Sequence, residues 1–119
     1  LCQELKARGY KVLFYPMLQV DTITPQSKPW RGRITPTTAT DANNFFTRSN
    51  SYNAFINHYA NLNVGGVLLK NTIDAFMIGS ELVGLTTYMS SAGVFPAVAQ
   101  LKSLAASVKS AVGSGVKVM

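Results

Sequence analysis

A carboxylate at the end of an apolar run is the feature of this sequence best suited to chemistry. Residues 75–82 read Ala-Phe-Met-Ile-Gly-Ser-Glu-Leu, so Glu81 follows a hydrophobic segment, a small residue and a hydroxyl. Continuously hydrophobic segments are typical of parallel strands covered on both faces, and barrels of parallel strands carry their chemistry where the strands end. We therefore predict that Glu81 lies in a functional cleft. The alternative is a structural carboxylate that caps the following helix or pairs with a surface Lys or Arg.

The alternation of side chains along a strand predicts the surroundings of this carboxylate. A period of two places Met77 and Gly79 on the face of Glu81, and Ser80 on the opposite face. Gly79 should then leave space for the carboxylate and for whatever approaches it.

Length and composition limit the class of protein. With 119 residues, 47% of them hydrophobic and 13% charged, the chain has the size and core content of one globular domain. Cys2 is the single cysteine, which excludes an internal disulfide and a thiolate zinc site. We predict no metal and no cofactor. No secretory signal and no apolar run long enough to span a bilayer is visible.

The positive charge is scattered rather than concentrated. A formal charge of +6 arises from eleven Lys and Arg against five Asp and Glu, and the closest cluster is Lys28, Arg31 and Arg33. No helix presents a basic stripe with interleaved aromatic residues, so we do not expect nucleic-acid binding.

Hydrophobic spacing predicts an alternation of strands and helices that would position Glu81. The predicted elements are a strand at 11–18, a long loop at 19–50, a helix at 52–62, a strand at 75–81, a loop at 83–93, a helix at 95–112 and a strand from 116. A short helix closed by Gly9 precedes them. This alternation favours an α/β fold with a parallel sheet.

The boundaries of the two main helices have their own signals. Ser49 or Ser51 is the predicted cap of the first helix, and Gly65-Gly66 is its predicted stop. Pro96 fits the first turn of the second helix. His58 lacks a carboxylate or cysteine nearby in the sequence, so we interpret it as an ordinary surface residue.

The two ends of the sequence resemble interrupted elements. The chain opens on Leu1 within the last turns of a helix and stops at Met119 within a strand just begun. We therefore expect it to be a piece of a longer polypeptide.

Four segments together carry a family resemblance. They are Pro29-Trp-Arg-Gly-Arg-Ile-Thr35, Phe55-Ile-Asn-His-Tyr-Ala60, Asp74-Ala-Phe-Met-Ile-Gly-Ser-Glu-Leu-Val-Gly-Leu-Thr86 and Phe95-Pro-Ala-Val98. In this order and spacing they resemble the TIM-barrel-like domain of gene transfer agent and phage tail host-specificity proteins, a domain similar to glycoside hydrolases. The resemblance spans roughly residues 5–119, and its Trp-Arg-Gly-Arg and Gly-Ser-Glu-Leu segments are the specific parts.

The resemblance implies a partial (β/α)8 barrel. Residues 1–119 would form about three strands, the third to the fifth of the barrel, with two complete crossover helices. A carboxylate that ends the fourth strand is the general acid/base in related glycosidases, and Glu81 matches it by position. Their nucleophile comes from the seventh strand, which this chain does not contain, so we predict that the chain alone is inactive. Ser80 stands where those hydrolases usually have an Asn that binds the sugar 2-hydroxyl, and the resemblance makes it a candidate for substrate binding.

The long loop supplies further candidates for substrate binding. Trp30 would lie at the same end of the barrel as Glu81 and could stack on a sugar ring, while Arg31 and Arg33 bind its hydroxyls or acidic groups. The alternative is that Trp30 pins the loop to the barrel and the arginines pair with Asp21, Asp41 or carbonyls. Asp21 ends the third strand and is a further candidate, with a role as loop anchor.

Two classes of function remain open at this point. The first is a glycoside hydrolase-like domain of a tail-tip protein that cleaves or grips bacterial surface glycan or peptidoglycan. The second is a non-catalytic structural or receptor-binding tail module that keeps the barrel fold. Partners would be surface glycan and other tail proteins, in a phage-like particle tail or in the bacterial cytoplasm before assembly. Exposed sheet edges would let the chain self-associate.

Overall fold

The chain alternates short strands with helices. The structure is a computed structural model, and it describes residues 1–20 and 30–119. The described elements are α1 (Cys2–Ala7), β1 (Leu13–Phe14), a 3-10 turn (Arg31–Arg33), α2 (Ala39–Thr47), α3 (Tyr52–Ala60), β2 (Asn63–Val64), β3 (Val67–Leu68), a 3-10 turn (Leu69–Asn71), β4 (Ala75–Phe76), α4 (Val83–Thr86), α5 (Pro96–Val112) and β5 (Lys117–Val118).

A three-stranded parallel sheet forms the centre of the fold. Its order is β1–β4–β5, and β4 pairs in parallel with both neighbours. Backbone bonds extend the ladder beyond β4, from Met77 N–H to Phe14 O at 2.9 Å and from Ile78 N–H to Met119 O at 2.7 Å. The prediction of an α/β fold with a parallel sheet is confirmed. The sheet is open, and the described residues do not close a barrel.

The segment predicted as a loop at 19–50 contains a helix, so that prediction is wrong in part. Helix α2 begins after Thr38, whose side chain accepts from Asp41 N–H while the Asp41 carboxylate accepts from Thr38 N–H. This capping box satisfies two backbone donors that a helix start leaves unpaired. Helix α2 then buries Phe46 completely.

The pair Gly65-Gly66 does not stop a helix, which corrects a second prediction. Helix α3 ends at Ala60, and the two glycines form the turn between β2 and β3. Both have positive φ, +60° and +84°. Successive positive φ values characterise the tight turn whose twist suits a hairpin, and glycine adopts them without steric cost.

The core lies between the sheet and helices α2, α3 and α5. Its fully buried large side chains are Phe46, Ile56, Phe76, Leu85, Leu104 and Val108. Helix α5 has Pro96 in its first turn and ends at Val112, as predicted, with Gly113 as its C-cap. Gly113 has φ +82°, a value that glycine adopts at a lower energetic cost than residues with a Cβ. Within residues 1–20 and 30–119, none of the helices combines the length and the hydropathy needed to cross a membrane.

Candidate functional site

Glu81 lies just past the carboxyl end of the central strand. The ladder of β4 continues to Ile78, and Glu81 follows three residues later with φ +55°. This left-handed conformation is uncommon for residues other than glycine and turns the chain out of the strand. The period-two alternation therefore does not extend to Glu81. Its side chain is 50% exposed at the edge of the sheet.

Two donors from the Trp-Arg-Gly-Arg turn meet at this carboxylate. Trp30 donates its indole N–H to Glu81 Oε2 at 2.9 Å, and Arg31 Nη2 lies 2.7 Å from the same oxygen. Bonds from charged donors to a carboxylate are among the stronger side-chain bonds. The structure thus brings together three of the residues that the sequence nominated, from positions about fifty residues apart.

These contacts decide between the structural alternatives for Glu81. Helix α4 begins after Leu82 and has no side-chain cap, so Glu81 does not cap it. The ion pair with an arginine is present, and the partner is Arg31. Arg31 is only 15% exposed, and a partly buried pair is screened less by salt than a surface pair. Among residues 1–20 and 30–119, its buried Nε has no hydrogen-bond partner.

Two glycines allow the turn to pack this closely. A Cβ on Gly32 would lie 2.3 Å from the Trp30 ring, so the indole rests directly on the Gly32 backbone. A Cβ on Gly84 in α4 would lie 2.6 Å from the carbonyl oxygen of Ile34 and 2.9 Å from that of Gly32. The turn is therefore held against the helix that follows Glu81. Arg33 belongs to the same turn and is exposed.

Two tyrosines that the sequence did not nominate form hydrogen bonds with the segment that leads to Glu81. The Tyr15 and Ser80 hydroxyl oxygens lie 2.5 Å apart, and either can donate. Tyr52 donates to the carbonyl of Ile78 at 2.9 Å. Burial, and secondarily the nearby Tyr15, raises the pKa of Tyr52 to about 12. A signal for Tyr15 existed, because it follows β1 at the edge where Ser80 follows β4.

Gly79 serves a different purpose from the one predicted. A Cβ at this position would lie 2.5 Å from the Tyr52 hydroxyl oxygen. The space left by the missing side chain therefore receives the Tyr52 hydroxyl rather than a carboxylate or its ligand. Gly79 lets helix α3 reach the backbone of the central strand.

A cleft opens beside Glu81. Its volume is about 360 Å³, and residues 78–83 form one wall, with Thr86 of α4 and Leu101 of α5 on the others. Ligand sites are commonly concave, largely apolar and supplied with a few polar groups, and this cleft fits that description. Glu81 and Ser80 are among its polar groups.

The remaining candidates lie elsewhere or outside the described residues. Asp21 and Lys28 fall in 21–29, which the structure does not describe. Asp41 accepts from Thr37 and Thr38, and these bonds, that of Thr37 first, lower its pKa. His58 is exposed on α3.

The other described carboxylates are engaged away from this site. Glu4 of α1 pairs with Arg8, which follows that helix. Asp74 binds Lys6, Lys11 and Val12 N–H before the start of β4. Across the two described ranges, no three His, Cys, Asp or Glu side chains are grouped as a metal would require.

An open parallel α/β sheet followed by a carboxylate at its carboxyl edge has the architecture expected of one part of a (β/α)8 barrel. The family model of the GTA TIM-barrel-like domain matches residues 50–119, more than half of the chain. The chain belongs to this family, and its fold is that of a partial TIM-barrel-like domain. The family resemblance drawn from the sequence is thereby confirmed, although the Trp-Arg-Gly-Arg segment precedes the matched residues. Searches of curated proteins and of solved structures returned no match.

Proposed function

We propose that the carboxyl edge of this sheet is the glycan site of a glycoside hydrolase-like domain, in which Glu81 is the general acid/base. The observation that carries the proposal is the meeting of Trp30 and Arg31 at Glu81. An indole offers a flat apolar surface to a sugar ring, a guanidinium offers several donors to hydroxyls, and a carboxyl group can protonate a leaving oxygen.

Hydrolysis needs a second carboxyl group opposite the first. Enzymes of this type use two, about 5 to 9.5 Å apart depending on stereochemistry. Of the described carboxylates, Glu81 is the one placed at this edge. We therefore expect the 119-residue chain to bind glycan without cleaving it, with the nucleophile supplied by another part of the intact domain.

Membership of this family supports a proposal for the biological setting. We propose that the domain belongs to a host-specificity protein of a phage tail or gene transfer agent, with bacterial surface glycan or peptidoglycan as its ligand. Other tail proteins would be its partners, in the particle tail or in the bacterial cytoplasm before assembly. Asp21 and Arg33 remain proposed binding residues, together with Ser80.

A non-catalytic structural or receptor-binding module is the second candidate. Two observations favour it. Glu81 Oε2 accepts from Trp30 and lies against Arg31, as an anchoring carboxylate would. Ser80 also lacks the amide that related hydrolases use at this position. In that case Glu81 fixes the loop and takes no part in proton transfer.

Trp30→Ala tests the glycan site in the chain as it stands. We expect a loss of about 1 to 3 kcal/mol in the binding free energy of soluble peptidoglycan oligosaccharides, because an aromatic contact surface is removed. Calorimetric titration measures it. Tyr10→Ala is the matched control, since Tyr10 is also exposed but precedes β1 at the other end of the sheet. If both variants bind the oligosaccharides with the affinity of the unchanged chain, Trp30 is not part of the glycan site.

Glu81→Gln distinguishes the hydrolase-like function from the non-catalytic module. The change keeps the shape and removes the charge, so glycan affinity should change little while turnover by the intact domain is abolished. Thermal unfolding is followed in parallel. A fall in melting temperature as large as that of Phe76→Ala, or full hydrolysis by the Gln variant, would make Glu81 structural and favour the non-catalytic module.

A further inference from the structure

The cleft beside Glu81 has aliphatic walls and two hydroxyl groups. The walls are formed by Ile78, Leu82, Val83 and Leu101, and the hydroxyls belong to Ser80 and Thr86. None of the described residues that line the cleft is aromatic. Trp30 borders a separate depression with Met17 and Arg31. Glu81 thus lies between an aromatic surface and an aliphatic cleft.

The two hydroxyls offer different hydrogen-bonding capacities. Thr86 donates its proton to Leu82 O at 3.0 Å, which leaves its oxygen able to accept from a ligand. When Tyr15 donates to Ser80 across their 2.5 Å contact, the Ser80 proton is free to donate to a ligand. The two hydroxyls therefore present one acceptor and one donor between the aliphatic walls, beside the Glu81 carboxylate that also lines the cleft.

A small neutral amide with a methyl group matches this arrangement. Its carbonyl accepts, its N–H donates, and its methyl group gains by leaving water for an aliphatic wall. An acidic substituent would instead meet the Glu81 carboxylate. A sugar hydroxyl in the same place would leave the aliphatic walls uncovered.

We propose that this cleft holds the acetamido group of an N-acetylated amino sugar, and that Tyr15 is a positioning residue that orients the Ser80 hydroxyl toward it. The inference rests on the proposed glycan-binding function and names the class of sugar that the site selects. The ring of the sugar lies toward Trp30, and its substituent enters the aliphatic cleft.

Two tetrasaccharides test this choice directly. β-1,4-linked tetramers of N-acetylglucosamine and of glucose share their backbone and differ in the substituent at carbon 2. Calorimetric titration of the 119-residue chain should show the acetylated tetramer binding about tenfold more tightly, from one hydrogen bond and one buried methyl group.

Three variants test which residues cause the preference for the acetylated tetramer. Val83→Ser shortens an aliphatic wall and should weaken the acetylated tetramer about threefold without affecting the glucose tetramer. Val64→Ser is the matched control, because Val64 is exposed in β2, outside the cleft. Tyr15→Phe should also lower affinity for the acetylated tetramer alone. A purely structural role of Tyr15 would lower affinity for both tetramers equally.

The outcomes separate this inference from the proposed function. Equal, Trp30-dependent affinity for the two tetramers would overturn the acetamido assignment and leave glycan binding intact. A chain that unfolds cooperatively and yet binds neither tetramer nor peptidoglycan oligosaccharides would overturn both the acetamido assignment and the proposed glycan binding.

Discussion

Glu81 combines a candidate catalytic side chain with a costly backbone conformation. Its φ of +55° lies in the left-handed region, where residues with a Cβ are less stable by about 1 to 3 kcal/mol. Such a conformation persists only where the surrounding structure imposes it. The bonds from Trp30 and Arg31 to its carboxylate and the buried Leu82 beside it supply that constraint.

Paired substitutions at position 81 measure this cost. Glu81→Gly and Glu81→Ala both remove the carboxylate. The difference between their free energies of unfolding therefore reports the cost of the backbone conformation at position 81. We expect Glu81→Gly to be more stable than Glu81→Ala by about 1 kcal/mol in urea unfolding, because glycine adopts positive φ freely.

Lys102 provides the matched control for that comparison. It is exposed in the middle of α5, where the helix favours alanine over glycine by about 1 kcal/mol. The order of stability should therefore reverse between the two positions. If alanine is the better residue at both, the backbone of position 81 is not left-handed.

At the scale of elements, the packing of the Trp-Arg-Gly-Arg turn on α4 determines whether the site forms. Gly84 is the contact residue, and an added Cβ would meet backbone oxygens rather than a flexible side chain. We expect Gly84→Ala to lower the free energy of unfolding by about 1 to 3 kcal/mol, as overpacking does, and to weaken glycan binding.

Gly115→Ala is the control for this overpacking. A Cβ at position 115 would meet no atom within 4 Å, so this variant should match the unchanged chain in both unfolding and glycan titration. A Gly84→Ala variant with unaltered stability and affinity would show that turn and helix do not touch as described.

Asp74 joins α1 and β1 to β4 and makes stability depend on pH. Its carboxylate binds Lys6, Lys11 and Val12 N–H, and these bonds, that of Lys6 first, lower its pKa from 3.8 to about 2. A lowered pKa in the folded state means that the stabilisation is complete above the ordinary value and is lost as pH falls toward the lowered one.

Asp74→Asn should therefore be less stable than the unchanged chain at neutral pH. The difference in melting temperature should shrink as the pH falls from about 4 to about 2. Glu4→Gln, which removes an exposed pair with Arg8, should stay close to the unchanged chain throughout. A constant difference across this range would exclude ionisation of Asp74 as the cause.

At the scale of the whole molecule, the open sheet formed by the described residues has two strand edges. The order β1–β4–β5 puts β1 and β5 on the outside, and Leu13 of β1 is 49% exposed. Unpaired strand edges are templates for pairing with another chain. We expect concentration-dependent self-association in sedimentation velocity.

Leu13→Lys should reduce this association, because a charged lysine on an edge strand opposes edge-to-edge pairing. Met89→Lys adds the same charge at an equally exposed site in the loop after α4 and should leave association unchanged. A compact monomer at high concentration, with a cooperative unfolding transition, would contradict self-association through the sheet.

The sequence predicted those features that depend on local patterns. The spacing of α5 and Pro96 in its first turn led to the correct helix. The apolar run before Glu81 led to a strand that begins at Ala75 as predicted but ends at Phe76 rather than at residue 81. Helix α2 was missed because its residues are mostly polar. The Thr38-to-Asp41 capping box is the local signal that marks its start.

Contacts between distant segments could not be predicted from such patterns. The sequence nominated Trp30, Arg31 and Glu81 separately, but their meeting at one oxygen depends on how the turn packs against α4. Gly79 illustrates the same limit. Its missing side chain admits Tyr52, a partner that comes from another helix and is not marked by any local spacing.

The indole bond to Glu81 also gives the protein an optical property. Trp30 is the single tryptophan of the chain, and its N–H contacts the candidate catalytic carboxylate. Fluorescence excited beyond the absorption of tyrosine therefore originates at the candidate site alone. Loss of the Glu81 contact, displacement of the turn or stacking of a sugar would each change the emission of this one fluorophore without any added label.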